Sequence, residues 1–467
     1  MSAVSHLAGM PARQPRLGRS KWGLHRQRVA IVLLLAFAAA QYARQLPPVQ
    51  TDGFMWDFTN VCCASRVLLE GKDPYQIGNI WRAWEAQPHT RFLARPNFGA
   101  MDVWCAVYPP PSLVIVAPLA MLPPVWARLS WLMLDVALFA LVCRALWSLG
   151  GLKTHDDRLL LVACLVASVP MVDGIQCGQF ALPACAAVIL AVWAVRCEKP
   201  ILAGVLLGLA MALKFQVAGP FLLFYLLIRR WRPAGIGLAV FAAVSMIGIV
   251  PLEMHHIPWL HEWLTNAAST LRPGMGNDPR PFGPFRTDMI NVQTWLYGLV
   301  SDDGIVRVLA IVCFTLPATA FLAGLRRSTR PADDLLALSC VALLSFLPVY
   351  RRLYDATVLA LLLTWAIAAL RTPLRTAAIV TLVLLGELLL PIEIVPMILR
   401  HAHGLQRFVN TRFWQTVVVP HHAWGILFLA AWTTGLYLKL HQRAAATAPG
   451  TNRADDDEID LSAAVGG

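Results

Sequence analysis

Charge is scarce in this sequence. Asp, Glu, Lys and Arg together make up 14% of its 467 residues, about half of their usual share in soluble globular proteins. Apolar residues make up 57% of the chain, and the mean hydropathy is +0.58. An aqueous fold cannot cover that much apolar surface. The composition therefore excludes a soluble globular protein and predicts a polytopic membrane protein.

Motifs for metal binding are also missing. The sequence has no HExxH motif and no paired Cys/His spacing of the kind that holds zinc. We therefore expect no metal and no cofactor. Histidines near predicted membrane boundaries are interpreted mainly as interfacial residues; they are His255, His256, His261, His401, His403, His421 and His422.

The first apolar run lacks a signal peptide's cleavage site. The basic segment Met1–Arg28 precedes the apolar run Val29–Ala43, and a polar stretch without an obvious small-residue site follows. We therefore expect an uncleaved first span with a cytoplasmic N-terminus. The net charge of +12 is divided among short clusters between apolar runs. This pattern is typical of cytoplasmic loops and argues against nucleic acid as a partner.

Twelve further apolar runs follow the first span, and several are shorter than the ~20 residues that a full crossing needs. They predict an all-α polytopic transmembrane helical bundle with about 12 crossings, some of them broken or re-entrant. One charged residue, Lys214, lies between the short runs Ile201–Leu213 and Phe221–Ile228. Basic clusters occur at both outer ends of this pair, so we expect Lys214 near an outward apex.

The basic clusters also predict the domain organisation. Residues 1–28 form a cytoplasmic basic N-terminus, residues 29–443 a single transmembrane domain, and residues 444–467 a disordered acidic cytoplasmic tail. Residues 44–107 form the first periplasmic loop, and residues 251–304 form a second one. The tryptophans Trp81, Trp84 and Trp104 predict interfacial helices in the first loop.

Cysteines inside apolar runs are interpreted as small hydrophobic residues. Cys62, Cys63 and Cys105 differ because they fall in the predicted first external loop. A disulfide between Cys105 and either Cys62 or Cys63 would form there if the loop faces an oxidising periplasm.

Asp57 is a carboxylate just after the first span. A charge beside the membrane is energetically costly unless it has a function or a partner. Asp57 can act as a proton acceptor at a membrane-edge cavity, whereas the alternative is a solvated loop aspartate or helix cap. Its neighbour Asp52 has the same alternatives. We expect cations to collect on the same outer side. Lys214 would reach a phosphate there unless it snorkels to the interface, and Arg351 and Arg352 would bind an anion unless one pairs with Asp355.

Amide and aromatic side chains occur in the same predicted outer segments. Gln176 and Gln179 flank a glycine, which lets the backbone approach a ligand closely; the alternative is a polar turn that caps helix ends. A Pro/Gly-rich loop over residues 271–297 includes Asn291 and predicts either the wall of an acceptor cleft or an ordered lid. The predicted substrate-binding residues are Tyr108, Gln176, Gln179, Asn291, Tyr354 and Asp355.

Several short motifs occur in a characteristic order along residues 29–370. They are Asp57-Phe58, Leu69-Glu70-Gly71-Lys72-Asp73-Pro74-Tyr75, Tyr108-Pro109-Pro110, Gln176-Cys177-Gly178-Gln179, the run from Gly208 to Lys214, and Ser345-Phe346-Leu347-Pro348 with the Arg351–Asp355 cluster. This ordered set resembles the C-type membrane glycosyltransferases (GT-C). Within them it resembles glycosyltransferase family 87, typified by polyprenyl-phosphate-mannose-dependent α-1,2-mannosyltransferases. Relatives often have histidine in the last motif, where this chain has Arg351 and Arg352.

The resemblance implies an inverting transferase that moves mannose or a related sugar from a polyprenyl-phosphate donor to a hydroxyl of a lipid or glycan. It places the active site on the periplasmic face of a bacterial inner membrane, among membrane lipids. The basic clusters predict that both termini are cytoplasmic. The resemblance also implies that Asp57 is catalytic and that Lys214, Arg351 and Arg352 bind the donor phosphate. An oligosaccharide ligase or polymerase, a lipid-linked sugar flippase and a non-catalytic scaffold are the alternatives.

Overall fold

The computed structural model describes residues 21–46, 54–86, 106–281, 283–327, 334–389 and 411–446. These residues are almost entirely helical, and their one extended pairing is an isolated antiparallel bridge between Met289 and Arg352. The first helices are α1 (Lys21–Gln45), α2 (Trp56–Leu69), α3 (Ile77–Glu85), α4 (Pro110–Ala120), α5 (Pro124–Leu149), α6 (His155–Ala167), α7 (Val169–Cys177) and α8 (Ala181–Arg196).

The remaining helices complete the bundle. They are α9 (Pro200–Leu227), α10 (Trp231–Met254), α11 (Trp259–Ser269), α12 (Val292–Leu299), α13 (Asp303–Arg327), α14 (Leu335–Phe346), α15 (Ala360–Ala369), α16 (Arg375–Gly386) and α17 (His421–Ala446). Short 3-10 turns cover Arg286–Asp288, Leu353–Leu359 and Glu387–Leu389, and a π-helical turn covers Trp414–Val418.

Long apolar helices confirm the prediction of an all-α polytopic membrane protein. Among the described residues, five helices are long and apolar enough to cross a membrane by length and composition, namely α5, α9, α10, α13 and α17, although α9 is broken at Lys214. A sixth crossing arises if α6 and α7, which are bent by 52° against each other, form one broken span. Several predicted runs instead form short helices such as α8 and α14. The count of about twelve crossings stays a prediction.

Burial separates the core helices from the outer ones. Helices α8, α14 and α15 are buried on nearly all sides, as expected for apolar helices in the centre of a bundle. Helices α10 and α13 instead expose large apolar side chains, such as Met246 and Ile311. Such continuous apolar surface is expected to face lipid.

Helix α9 is broken at Lys214, whose backbone is non-helical (φ −155°, ψ 85°). A Cβ placed on Gly237 of α10 would contact both Leu207 and Leu222 at 3.4 Å. A straight helix would separate those two leucines by about 22 Å. The two halves of α9 therefore fold back on each other as a hairpin with Lys214 at its apex. This agrees with the expectation that the basic clusters at both ends lie on one side.

The break leaves backbone carbonyls without helical partners, and two side chains supply donors. The Ser112 hydroxyl donates to the carbonyls of Ala212 (2.8 Å) and Leu213 (3.2 Å). The Arg351 guanidinium donates to the carbonyl of Gln216. Non-helical backbone at membrane depth is tolerated only when such partners satisfy it. These contacts fix the position of Lys214.

The predicted first loop differs from a set of surface helices. Helix α3 is amphipathic and buries Ile80 and Trp84, as expected at an interface. Helix α2, in contrast, is buried along most of its length and packs against α4. Cys62 and Cys63 lie buried in α2. Residues Asp52, Trp104 and Cys105 lie outside the described residues, so the disulfide stays a prediction.

Candidate active site

A cavity of about 270 Å³ lies between α2, the apex of α9, the loop after α11 and the segment after α14. Several predicted site residues line it: Asp57, Tyr108, Gln179, Lys214, Arg352 and Tyr354. They come from sequence segments up to about 300 residues apart. One carboxylate and two cationic side chains thus share one cavity.

Asp57 is held at the start of α2 by unusual backbone geometry. Met55, which precedes the helix, has a left-handed conformation (φ 54°), which is strained for a residue other than glycine. Its N–H donates to the carbonyl of Gln176 at 2.7 Å. A Cβ on Gly178 would lie 2.7 Å from Cβ of Phe58. Gly178 (φ 65°) therefore allows the α7–α8 turn to approach the helix that carries Asp57.

A hydrogen-bonded series orients the Asp57 carboxylate. The Tyr108 hydroxyl donates to Oε1 of Gln179 at 2.9 Å. The Gln179 side-chain amide in turn donates to Oδ2 of Asp57. Behind the carboxylate, the Phe58 ring stacks on Trp131 at 4.8 Å. One carboxylate oxygen is thus fixed by an amide, and within the described part of the chain the other makes no hydrogen bond.

Burial raises the pKa of Asp57 to about 6, although the positive charges of Arg352 and Lys214 oppose this shift. A carboxylate with a pKa near neutrality is a stronger proton acceptor than an ordinary aspartate. It is still ionised at pH 7. The cavity therefore contains a group that can take a proton from a hydroxyl.

Lys214 forms a buried ion pair with Asp355, with 2.6 Å between Nζ and Oδ1. Its ammonium also lies 4.4 Å from the ring centroid of Tyr354. Arg351 approaches the same aspartate at 3.8 Å and is 1% exposed. Two cations therefore share one buried carboxylate, which leaves a net positive charge at this wall of the cavity.

Arg352 is held by the loop after α11. Its guanidinium donates to the carbonyl of Gly276 (3.0 Å) and to Oδ1 of Asn277 (2.9 Å). Its Nε donates to the Tyr350 hydroxyl at 2.5 Å, and the Phe285 ring lies 4.9 Å away. No carboxylate oxygen lies within 4.0 Å of it among the ion pairs of the described residues. Its charge is therefore directed to the cavity.

Four predicted site residues do not line the cavity. Arg351 and Asp355 lie behind it, where Asp355 fixes Lys214. Gln176 contributes a backbone carbonyl to Met55 rather than a lining side chain. Asn291 is buried and its Oδ1 accepts from the Thr294 hydroxyl at 3.1 Å in the first turn of α12.

Other lining residues were not predicted individually, among them Asn60, Gln216, Asn277 and Tyr350. Asn277 belongs to the Pro/Gly-rich loop, for which a cleft wall was one of the two expectations, but only the fold brings it to Arg352. Arg286 anchors this loop. It is 2% exposed and donates to the carbonyls of Pro279 (3.2 Å), Thr294 (2.9 Å) and Gln415 (2.8 Å).

The comparison with known protein families agrees with this arrangement. The sequence profile described as glycosyltransferase family 87 matches residues 106–350, which is more than half of the 467 residues. No curated protein and no solved structure matches the chain. The matched region includes Tyr108, Gln179 and Lys214, and it ends at Tyr350, beside Arg352. This match shows that the chain belongs to glycosyltransferase family 87, and the long apolar helices fit that assignment.

Proposed function

We propose that this glycosyltransferase transfers mannose or a related sugar from a polyprenyl-phosphate donor to a hydroxyl of a lipid or glycan acceptor. The observation that carries the proposal is the common cavity of Asp57, Lys214 and Arg352. Sugar transfer to a hydroxyl needs a proton acceptor on one side and stabilisation of the leaving phosphate on the other. Asp57 supplies the proton acceptor, and Lys214 and Arg352 supply the positive charge for the phosphate.

In the proposed reaction, the acceptor oxygen attacks the anomeric carbon while Asp57 takes the hydroxyl proton. The bond between the anomeric carbon and the phosphate oxygen breaks, and the polyprenyl phosphate leaves. Lys214 and Arg352 stabilise the leaving phosphate, Arg352 through its planar guanidinium. Displacement in one step from the opposite face inverts the anomeric centre. Arg351 and Asp355 act as positioning residues for Lys214.

The proposal places this reaction on the periplasmic side of a bacterial inner membrane. It is supported by the hairpin of α9, whose two ends carry the basic clusters Arg196/Lys199 and Arg229–Arg232. Basic clusters favour the cytoplasmic side, and the apex with Lys214 points away from them into the cavity. A lipid-borne donor can therefore reach the cavity from the outer leaflet.

A donor panel tests the proposal. The purified protein in nanodiscs is given a polyprenyl-phosphate sugar, a nucleotide sugar or a polyprenyl-pyrophosphate oligosaccharide, together with a glycolipid acceptor. We expect product from the first donor alone, with inverted stereochemistry by NMR. Product from the nucleotide sugar would overturn the donor assignment. Product from the pyrophosphate oligosaccharide would instead identify a ligase or polymerase.

A further inference from the structure

A cluster of metal-ligating side chains lies outside the catalytic cavity, where α16 ends and α17 begins. Glu387, His421 and His422 each place a donor atom within 4.8 Å of the others. None of the three lines the cavity that contains Asp57. Glu387 precedes His421 by 34 residues, so no sequence motif shows the cluster.

Three atoms of this cluster, Oε1 of Glu387 and both ring nitrogens of His422, make no hydrogen bond among the described residues. His422 is fully buried, and among the described residues neither of its ring nitrogens has a hydrogen-bond partner. Its Nδ1 lies 2.5 Å from Oε1 of Glu387, the distance of an ion pair, but the two atoms are not aligned as a hydrogen bond. Buried polar atoms are nearly always satisfied, and an ion bound between them is one explanation for such an exception.

His421 is oriented as metal-binding histidines usually are. Its Nδ1 lies 2.9 Å from the carbonyl oxygen of Val418, which favours the tautomer with a proton on Nδ1. Such a hydrogen bond fixes the ring and leaves Nε2 as the ligand atom. That Nε2 faces Oε1 of Glu387 at 3.8 Å.

The backbone around the cluster makes room for the carboxylate. Gly425 lies one turn into α17, and a Cβ there would be 2.8 Å from an oxygen of Glu387. Any larger residue would displace the Glu387 carboxylate from the histidines. The carboxylate also lies beside the N-terminal turn of α17, where negative charge is favoured.

We propose that Glu387, His421 and His422 bind a zinc-type transition-metal dication that joins the end of α16 to the start of α17. Two imidazole nitrogens and one carboxylate oxygen suit zinc and disfavour magnesium or calcium, which prefer oxygen ligands alone. A tetrahedral zinc ion separates its donor atoms by about 3.3 Å. Small side-chain rotations bring the three donors to that spacing, and water occupies the fourth position.

The position of the site assigns the metal a structural role. The segment before α17 contacts two elements beside the catalytic cavity. The backbone carbonyl of Gln415 accepts from Arg286, which anchors the loop after α11, and the Thr416 hydroxyl donates to the carbonyl of Gly298 in α12 at 2.8 Å. A metal at the start of α17 therefore stabilises this wall. It does not contact the reacting groups.

Zinc binding to the full-length protein tests the proposal. The protein is purified without an oligohistidine tag, loaded with Zn²⁺, dialysed, and its metal content measured by mass spectrometry. We expect about one zinc per chain and a higher midpoint of thermal unfolding with Zn²⁺, reversed by a chelator and not reproduced by Mg²⁺. Absence of bound zinc in the wild type would overturn the proposal.

Variants distinguish a metal site from a simple histidine–glutamate contact. His421→Ala and Glu387→Gln should weaken zinc binding at least about tenfold, since loss of even a supporting residue has that effect, and should abolish the thermal shift. The adjacent pair His255→Ala/His256→Ala is the matched control and should bind zinc like the wild type. Equal zinc affinity in Glu387→Gln, His421→Ala and the wild type would show that the metal is elsewhere. Sugar transfer is not the readout, so the result is independent of the proposed function.

Discussion

The side-chain amide of Gln179 donates a hydrogen bond to the carboxylate of Asp57, although the two residues are 122 positions apart in the sequence. This contact joins the turn between α7 and α8 to the start of α2. It fixes one oxygen of Asp57. The other oxygen makes no hydrogen bond among the described residues and would accept the proton in the proposed reaction. Preorganisation of this kind is what separates a catalytic carboxylate from a solvated one.

Asp57→Asn should lower turnover by about 10²–10⁴-fold, because asparagine keeps the size of the side chain but cannot accept a proton. Donor binding, measured as a donor-induced shift in thermal unfolding, should be retained. Asp52→Asn is the control, since Asp52 is close in sequence and we assign it no role. Normal turnover in Asp57→Asn, or inactivity of Asp52→Asn alone, would mean that a different carboxylate is the base.

The pH dependence of kcat/KM should show an acidic limb near pH 6. Asp57 has its pKa raised to about 6 by burial, and only the ionised form accepts a proton, so activity falls as the pH drops below that value. Arg352 lowers this pKa through its charge. Arg352→Gln should therefore raise the pKa of Asp57 and shift the acidic limb of the variant's kcat/KM profile to higher pH. Arg280→Gln, whose guanidinium pairs with Asp278 and Asp303, should leave the limb unchanged.

The buried ion pair of Lys214 and Asp355 predicts an asymmetric effect on stability. Removal of one partner of a buried pair costs about 3–5 kcal/mol. Lys214→Gln leaves Asp355 with Arg351 as a partner at 3.8 Å. The free energy of unfolding should therefore fall less in Lys214→Gln than in Asp355→Asn. Asp355→Asn leaves two buried cations and should lower the free energy of unfolding more.

Chemical denaturation in detergent measures the free energy of unfolding of both single variants and shows which of them is less stable. The double variant Lys214→Gln/Asp355→Asn should recover part of the stability but little of the transfer activity, because one of the two proposed phosphate-binding cations is gone. Lys72→Gln, which removes an exposed pair with Glu70, should change stability by less than about 1 kcal/mol. Greater loss in Lys214→Gln than in Asp355→Asn would contradict this account of the site.

Gly178→Ala should reduce both stability and turnover. Its Cβ would lie 2.7 Å from Phe58 and 2.8 Å from Met55, and its φ is 65°. Relief of the clash moves the start of α2 and with it Asp57. We expect a loss of about 1–3 kcal/mol. Gly78→Ala in α3 meets nothing within 4 Å and should be neutral or slightly stabilising.

Local sequence properties were enough to predict the helical membrane fold and two of the candidate site residues. Low charge and long apolar runs predicted a helical membrane protein, since hydropathy acts over one helix at a time. Asp57 and Lys214 were identified because a charge beside or within an apolar run is costly without a function or a partner. The paired basic clusters around α9 predicted that Lys214 lies at an apex, which the hairpin agrees with.

Only the tertiary structure decided how these residues are paired. The ion pair of Lys214 with Asp355, the contacts of Arg352 with Gly276 and Asn277, and the hydrogen bond from Gln179 to Asp57 each join distant segments. The structure buries α2 in the core, although its place in the predicted first external loop had predicted a helix on the membrane surface. Such pairings depend on which helices pack together, and helix packing follows from side-chain shape across the whole bundle rather than from any local pattern.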